Sequence, residues 1–231
     1  MPKASSILVS LQHSIKEQRL FLDTDGQTDV KPNNVLVNYA DESQRQVTEV
    51  QLADFGSTVS EKSGHAKDGD DISSPIFRSP EAQMQLPWTT ATDIWSFGVT
   101  VGPFGLIYVK DFVDRESLQL IDTIYGHGFH IMKPDVPIDH EDYDYKILMR
   151  YHQCFGPFPW TYAQFADEDT LKALSWIMHE TPPDSLRPFH MTTSTEISEK
   201  DKAFIMRIMK LDPRDRPTAA ELLEDTWFRD T

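Results

Sequence analysis

The chain has 231 residues, 39% of them hydrophobic and 26% charged, which is enough apolar content for a packed domain and too much for a disordered chain. Its 22 Lys and Arg against 37 Asp and Glu give a net charge of -15. That balance excludes a bare nucleic-acid binder, which needs a cationic footprint to neutralise phosphates, and it suits basic protein partners. The single cysteine, Cys154, excludes a disulfide scaffold and fits a reducing compartment, cytoplasm or nucleus.

The first 26 residues read as an irregular segment or remnant helix, and their apolar patch is too short for the core of a signal peptide. Val35 to Tyr39 and Val47 to Leu52 read as two short strands, with Ala40 to Gln46 as the hairpin loop between them. Ser57 to Ser74 is rich in Ser, Gly, Asp and Lys and has no apolar period, so a long exposed loop is expected. Thr92 to Val101 opens a helix that is apolar on nearly all sides, hence buried. The uncharged run from Trp95 to Val109 has 15 residues, fewer than the ~18–20 needed to span a bilayer, and Gly102, Pro103 and Gly105 interrupt it, so no membrane span is expected.

Val113 to Gly126 and Tyr143 to His152 read as helices, Asp135 to Asp144 as a solvated acidic loop, and Cys154 to Trp160 as a rigid aromatic turn. Leu171 to Met178 is apolar at helical spacing and is stopped by Pro182 and Pro183. Ser198 to Leu211 places Phe204, Ile205, Ile208 and Met209 on one face. Thr218 followed by Glu221 is a capping box opening a last helix that runs toward Trp227. Trp88, Trp95, Trp160, Trp176 and Trp227 all read as core or packing residues. The fold class is therefore α+β, mainly α, with a small β-hairpin.

Four short motifs fall on these elements in order. Asp29-Val-Lys31-Pro-Asn-Asn34 precedes the first strand, and Asp54-Phe-Gly56 follows the second. Ser79-Pro80-Glu81 closes the long loop, and Asp93-Ile-Trp95-Ser-Phe-Gly98 opens the buried helix. Arg216 follows in Leu-Asp-Pro-Arg-Asp-Arg216-Pro-Thr. Asn34 and Asp54 stand at the two open ends of the hairpin, so pairing of the strands brings an amide and a carboxylate together.

In this order the motifs resemble the eukaryotic protein kinase family, serine/threonine type, over roughly Thr28 to Phe228, the region of the family's helical C-terminal lobe. The long segment after the buried helix loosely resembles the branch of cyclin-dependent and SR-protein kinases. The resemblance implies a C-lobe over residues 27–231 that transfers the γ-phosphoryl of ATP to Ser or Thr of a protein. Phosphoryl transfer asks for positioning and charge neutralisation more than covalent chemistry. Asp29 would then be the base, Lys31 the cation on the moving phosphoryl, and Asn34 and Asp54 the Mg²⁺ ligands. Leu36 would lie beneath the adenine. Glu81 and Arg216 would form a buried ion pair, Asp93 would support the catalytic loop, and Ser74 would stand on the substrate loop beside Asp29 and Lys31.

The chain also departs from the family. The family's glycine-rich loop, strand Lys and paired Glu lie upstream of the catalytic Asp, and neither Gly-x-Gly-x-x-Gly nor Val-Ala-x-Lys occurs before Asp29. The ATP-covering N-terminal lobe is therefore expected to be missing, leaving a cleft floor for a partner to cover. The alternative to an active kinase is a catalytically dead, protein-binding lobe. Gln27-Thr28 replaces the usual His-Arg before the catalytic Asp. Leu20 to Thr28 also resembles the first motif of haloacid-dehalogenase-type phosphatases, with Asp23 and Asp25, but Gln27 occupies the Thr position and no alternating βα pattern follows. An EF-hand reading of that stretch fails on the placement of Gly and Glu. His127 and His130 lack a metal partner at convincing spacing.

Overall fold

The computed structural model describes residues 29–41, 46–101, 131–195 and 197–228. The first 26 residues, the Leu20 to Thr28 stretch, the expected helix at Val113 to Gly126, and His127 with His130 lie outside the described residues.

Pro32 sets a single 3-10 turn, Pro32–Asn34, that leads directly into strand β1, Val35–Asp41. β1 pairs antiparallel with β2, Gln46–Leu52, in a register that places Val35 opposite Leu52 and Val37 opposite Val50. The ladder is irregular around Tyr39, so the strands run further toward the hairpin tip than the apolar pattern indicates, as the extra residue of a bulge allows.

The stretch expected to be a loop contains a helix, α1, Gly64–Asp68. Ser63 caps its start by accepting from Ala66 N–H, and Gly69 closes it in the left-handed region at φ 72. A Cβ on Gly69 would sit 2.1 Å from the Gln85 carbonyl oxygen. Only glycine fits both the backbone angle and that approach. Ala66 and Trp88 are buried together, and the Trp88 indole donates to the Asp70 carbonyl at 3.0 Å. Periodicity does not register a helix this short, although its two caps are written in the sequence.

Helix α2, Pro80–Gln83, follows the Ser79 cap, and α3, Ala91–Val101, carries the second half of the motif set. α4 spans Tyr143–Phe155 and α5 spans Glu168–Glu180, with Asp167 capping Thr170 N–H. α6 is Glu199–Ile208 under a Ser198 cap, and α7 is Ala219–Leu223 with the Thr218/Glu221 capping box in place. α4 therefore takes in Cys154 and Phe155, and the acidic stretch ends where Asp144 enters α4.

The core sits where α3 meets α4 and α6. Trp95 lies edge-on to Tyr151 at 5.0 Å and to Phe155 at 5.8 Å. Phe204 stacks on Trp227 at 4.1 Å. Gly98 lets α3 approach α6, since a Cβ there would come within 2.5 Å of Met209 Sδ. Trp88, Trp95 and Trp227 are buried, but Trp160 is 79% and Trp176 55% exposed. Two of the five tryptophans thus stand on the surface. Hydrophobicity alone does not fix burial for an indole, which is at home on surfaces where its ring is half covered; Trp176 leans on Tyr145 at 4.8 Å.

Candidate active site

Pro32 and the 3-10 turn carry Asp29, Lys31 and Asn34 around one tight bend. Lys31 Nζ pairs with Asp29 Oδ2. Asn34 is 6% exposed, and its Nδ2 donates to the Asp29 carbonyl at 2.8 Å and lies 3.5 Å from Asp29 Oδ2. The amide nitrogen is thus committed to the loop, which leaves the amide oxygen for another partner.

The hairpin delivers the second carboxylate. Ala53 N–H donates to the Asn34 carbonyl at 2.7 Å, one rung beyond the Val35–Leu52 pair. Asp54 is the next residue, solvent-exposed and held at φ 61, ψ 63. A non-glycine residue in the left-handed region costs about 1–3 kcal/mol and persists only where its surroundings impose it, a condition that concentrates at functional sites. Leu36, one residue into β1 from the rung pair, is 55% exposed.

The loop before α2 closes over Asp29. Ser73 Oγ donates to Asp29 Oδ1 at 2.8 Å. The residue touching the carboxylate is therefore Ser73 and not Ser74, whose carbonyl instead accepts from the N–H groups of Phe77 and Arg78. The reason is backbone shape. Ser73 has φ 56, which turns its side chain toward Asp29 and leaves Ser74 in extended geometry as the cap of the next turn. Buried Arg78 fixes this turn: Nε donates to the Ile72 carbonyl at 2.7 Å, Nη2 to the Ser73 carbonyl at 3.2 Å, and Nη1 pairs with Asp71 Oδ1 at 3.2 Å. The sequence marks Ser73 only as one of three loop serines, with Ser63 and Ser74, open to phosphorylation but read first as part of an ordinary solvated loop, and Arg78 only as the neighbour of Ser79-Pro80-Glu81.

Three further contacts fasten the loop to the helical body. Tyr151 Oη donates to the Arg78 carbonyl at 2.6 Å, Ser96 Oγ to the Phe77 carbonyl at 2.9 Å, and the Ser79 and Thr92 hydroxyls bond at 2.8 Å. Burial pushes the Tyr151 phenol far above its ordinary value, so it remains a donor. Glu81 and Arg216 are each 0% exposed and meet in a two-pronged pair at 2.7 Å on both prongs. The remaining guanidinium N–H groups reach the carbonyls of Ala91, Leu211 and Lys210 at 2.9, 3.1 and 2.8 Å. All five donors of Arg216 are satisfied, and its plane lies 5.2 Å from the Trp95 ring. Asp93 is buried in the first turn of α3.

Among the described residues no group of three or more His, Cys, Asp or Glu gathers as a metal cluster, and no helix is long and apolar enough to cross a membrane. What the fold does bring together is the Asp29 carboxylate with the Lys31 cation and the Asn34 amide, under a clamped serine loop, with exposed Asp54 one residue past the strand partner of Asn34.

Residues 27–228 match the protein kinase domain family. The serine/threonine-protein kinase Doa of Drosophila melanogaster is 29% identical over 113 residues, covering 43% of this chain and 13% of Doa. The dual specificity protein kinase CLK2 of Homo sapiens is 28% identical over 113 residues, covering 43% of this chain and 22% of CLK2. A serine/threonine protein kinase of Aspergillus fumigatus is 26% identical over 184 residues, covering 77% of this chain and 39% of that protein. The chain thus spans between 13% and 39% of the length of these relatives. With the match running through every motif from Asp29 to Arg216, the chain belongs to the eukaryotic protein kinase family.

Proposed function

We propose that the chain is the catalytic, helical lobe of a serine/threonine protein kinase acting in the cytoplasm or nucleus, passing the γ-phosphoryl of ATP to a Ser or Thr hydroxyl of a basic protein. The observation that carries this reading is the convergence of Asp29, Lys31 and Asn34 on one turn with Asp54 a single residue past the strand partner of Asn34.

Each residue has a role its chemistry suits. Asp29 orients the substrate hydroxyl and takes its proton. Lys31 balances charge on the transferring phosphoryl. The uncommitted amide oxygen of Asn34 and the exposed carboxylate of Asp54 are hard oxygen donors, the kind Mg²⁺ takes while keeping several of its waters. Bound there, the ion would neutralise charge on the phosphates of ATP. Leu36 offers apolar surface to the adenine. Its exposure leaves that surface for a second lobe or a partner to cover.

The same exposure favours a second reading, a protein-binding lobe without transfer. Two measurements separate them. Under the kinase reading, Mg²⁺ with ATP raises the melting temperature of the chain, and labelled phosphate reaches a basic protein substrate with wild type and not with Asp29→Ala. Absence of a nucleotide shift, or equal labelling by both forms, defeats the kinase reading.

A further inference from the structure

The last turn of α4 holds an imidazole in an unusual setting. His152 is half-buried, and its Nδ1 is fully buried with no hydrogen-bond partner among the described residues. His65 and His140, by contrast, each set Nδ1 against a carboxylate, Asp70 and Asp142. At His152 the chain itself closes over the nitrogen. Gly156 N–H donates to the His152 carbonyl at 3.0 Å, and a Cβ on Gly156 would stand 2.4 Å from Nδ1. Buried Phe158 lies nearly parallel to the imidazole at 6.4 Å. Nδ1 thus faces backbone and an aromatic ring. A proton there would bring a donor without an acceptor and a charge without a partner, so the neutral ring keeps its proton on Nε2.

The charged groups of the surrounding elements are engaged elsewhere. On α4 itself Arg150 Nη1 donates to Gln153 Oε1 at 3.3 Å. His179 and Glu180, at the end of α5, are exposed, and Glu180 acts on Tyr145. Arg187 Nη1 donates to the carbonyls of Asp184 and Leu186, and the Tyr162 phenol donates to the Leu211 carbonyl. Arg78 and Glu81, on the side of the serine loop, pair with Asp71 and Arg216. Burial is left as the influence on the imidazole, and it holds the group below its ordinary 6.5.

We propose that His152 is a proton-operated latch on the serine loop. Neutral, it lets the turn after α4 close over its ring; protonated, it leaves that pocket and frees the end of α4. The neighbours of His152 carry the effect outward. Tyr151 holds the Arg78 carbonyl at 2.6 Å, and the Gln153 carbonyl accepts from Arg187 N–H at 3.0 Å. Loosening the last turn of α4 therefore slackens the anchor of the loop that carries Ser73 to Asp29, as well as the segment at Arg187. The direction follows from linkage. The released ring titrates at the ordinary 6.5 and the latched ring lower, so the latch is complete above 6.5 and is lost as the pH falls through the latched value. The inference does not depend on whether the lobe transfers phosphate or binds protein.

The test lowers the pH on the full chain while NMR follows the His152 ring and hydrogen exchange follows single amides, with His152→Gln beside wild type. The ring is expected to titrate below 6.5. Exchange at the Gly156 and Arg187 amides, corrected for its intrinsic pH dependence, should quicken below that pH by up to about tenfold per unit. The Phe77 and Arg78 amides of the serine loop should follow, while the amides of α6 stay slow. The glutamine variant carries no titrating group and should show no such response. A ring midpoint at or above 6.5 overturns the inference, as does the same acid response in His152→Gln. Equal quickening in α6, which is unfolding of the whole lobe, overturns it too, and so does a response at Gly156 that leaves Phe77 and Arg78 unchanged. Should His152→Gln fail to fold, the ring midpoint and the amide pattern of wild type decide the matter alone.

Discussion

Replacing Arg216 by methionine removes a cation and keeps a side chain of comparable reach. The Glu81 carboxylate then remains at 0% exposure having lost both of its 2.7 Å bonds, and the carbonyls of Ala91, Leu211 and Lys210 lose a donor each. Breaking one side of a buried pair costs about 3–5 kcal/mol, because the remaining charge can recover neither its partner nor water. Contact with the Trp95 face at 5.2 Å adds to the loss. Against a total stability of about 5–15 kcal/mol for a folded domain, that is a large share. For a domain of this size each kcal/mol moves the melting temperature by about 2–4 °C, so a fall of roughly 6–20 °C is expected.

Circular dichroism with urea and heat measures it. Arg216→Lys serves as the sharper control, since a lysine has three donors and cannot fork onto both carboxylate oxygens; it should recover less than half of the loss. Glu81→Leu with Arg216→Met together should cost clearly less than the sum of the two single changes, because the pair leaves no orphaned charge. A loss below about 1 kcal/mol in Arg216→Met, or a lysine variant as stable as wild type, would refute the assignment of this pair as a buried anchor.

Acid should weaken the fold through Asp212. Its carboxyl is held at about 2 against an ordinary 3.8, first by the Arg214 guanidinium and then by the Thr161 hydroxyl at 2.6 Å, and the side chain is 3% exposed. Because the folded value is the lower one, the stabilisation is complete above about pH 4 and is lost as the pH falls through 2. A gap of that width between folded and unfolded chain is worth about 2 kcal/mol, and Asp212→Asn should flatten the acid limb of a pH–stability curve. Parallel limbs for the two proteins would exclude this origin. Gly69→Ala combines a φ of 72 with a Cβ 2.1 Å from the Gln85 carbonyl oxygen, so a loss of about 2 kcal/mol or more is expected, with faster protease cleavage between residues 60 and 75. An unchanged urea midpoint contradicts the close approach.

How much of this was legible before folding depends on what each residue does. The motifs around Asp29, Lys31, Asn34 and Asp54 mark them as candidates, and the hairpin that their spacing implies is formed, with Ala53 bonded to the Asn34 carbonyl. The cap at Thr218 could be read because Glu221 answers it three residues on, whereas the Ser63 cap lay inside a stretch read as loop, where no apolar period announces a helix of one turn. The choice between Ser73 and Ser74 could not, since two adjacent serines are equivalent until a single backbone angle of 56 points one of them at Asp29. Arg78 was hidden for a similar reason: it bonds to carbonyls, and every residue has one. Burial of Trp88 and exposure of Trp160 follow from which elements come to lie over each ring.

The anchors of the serine loop share one trait that bears on function. Tyr151 reaches back 73 residues to the Arg78 carbonyl, and Arg216 reaches back 135 to Glu81, while Ser79 meets Thr92 only 13 residues on. The short link can form with α2 and α3 alone. The two long ones require α4 and the segment before α7 to be packed already. The loop that brings Ser73 to Asp29 therefore takes its shape from contacts across the helical body as well as from its nearby bonds to Arg78 and Trp88. A lesion far away in α4, such as Tyr151→Phe, removes one 2.6 Å bond and leaves the Arg78 carbonyl buried without that donor. Its cost of about 1–3 kcal/mol falls on the geometry of the site before it falls on the fold.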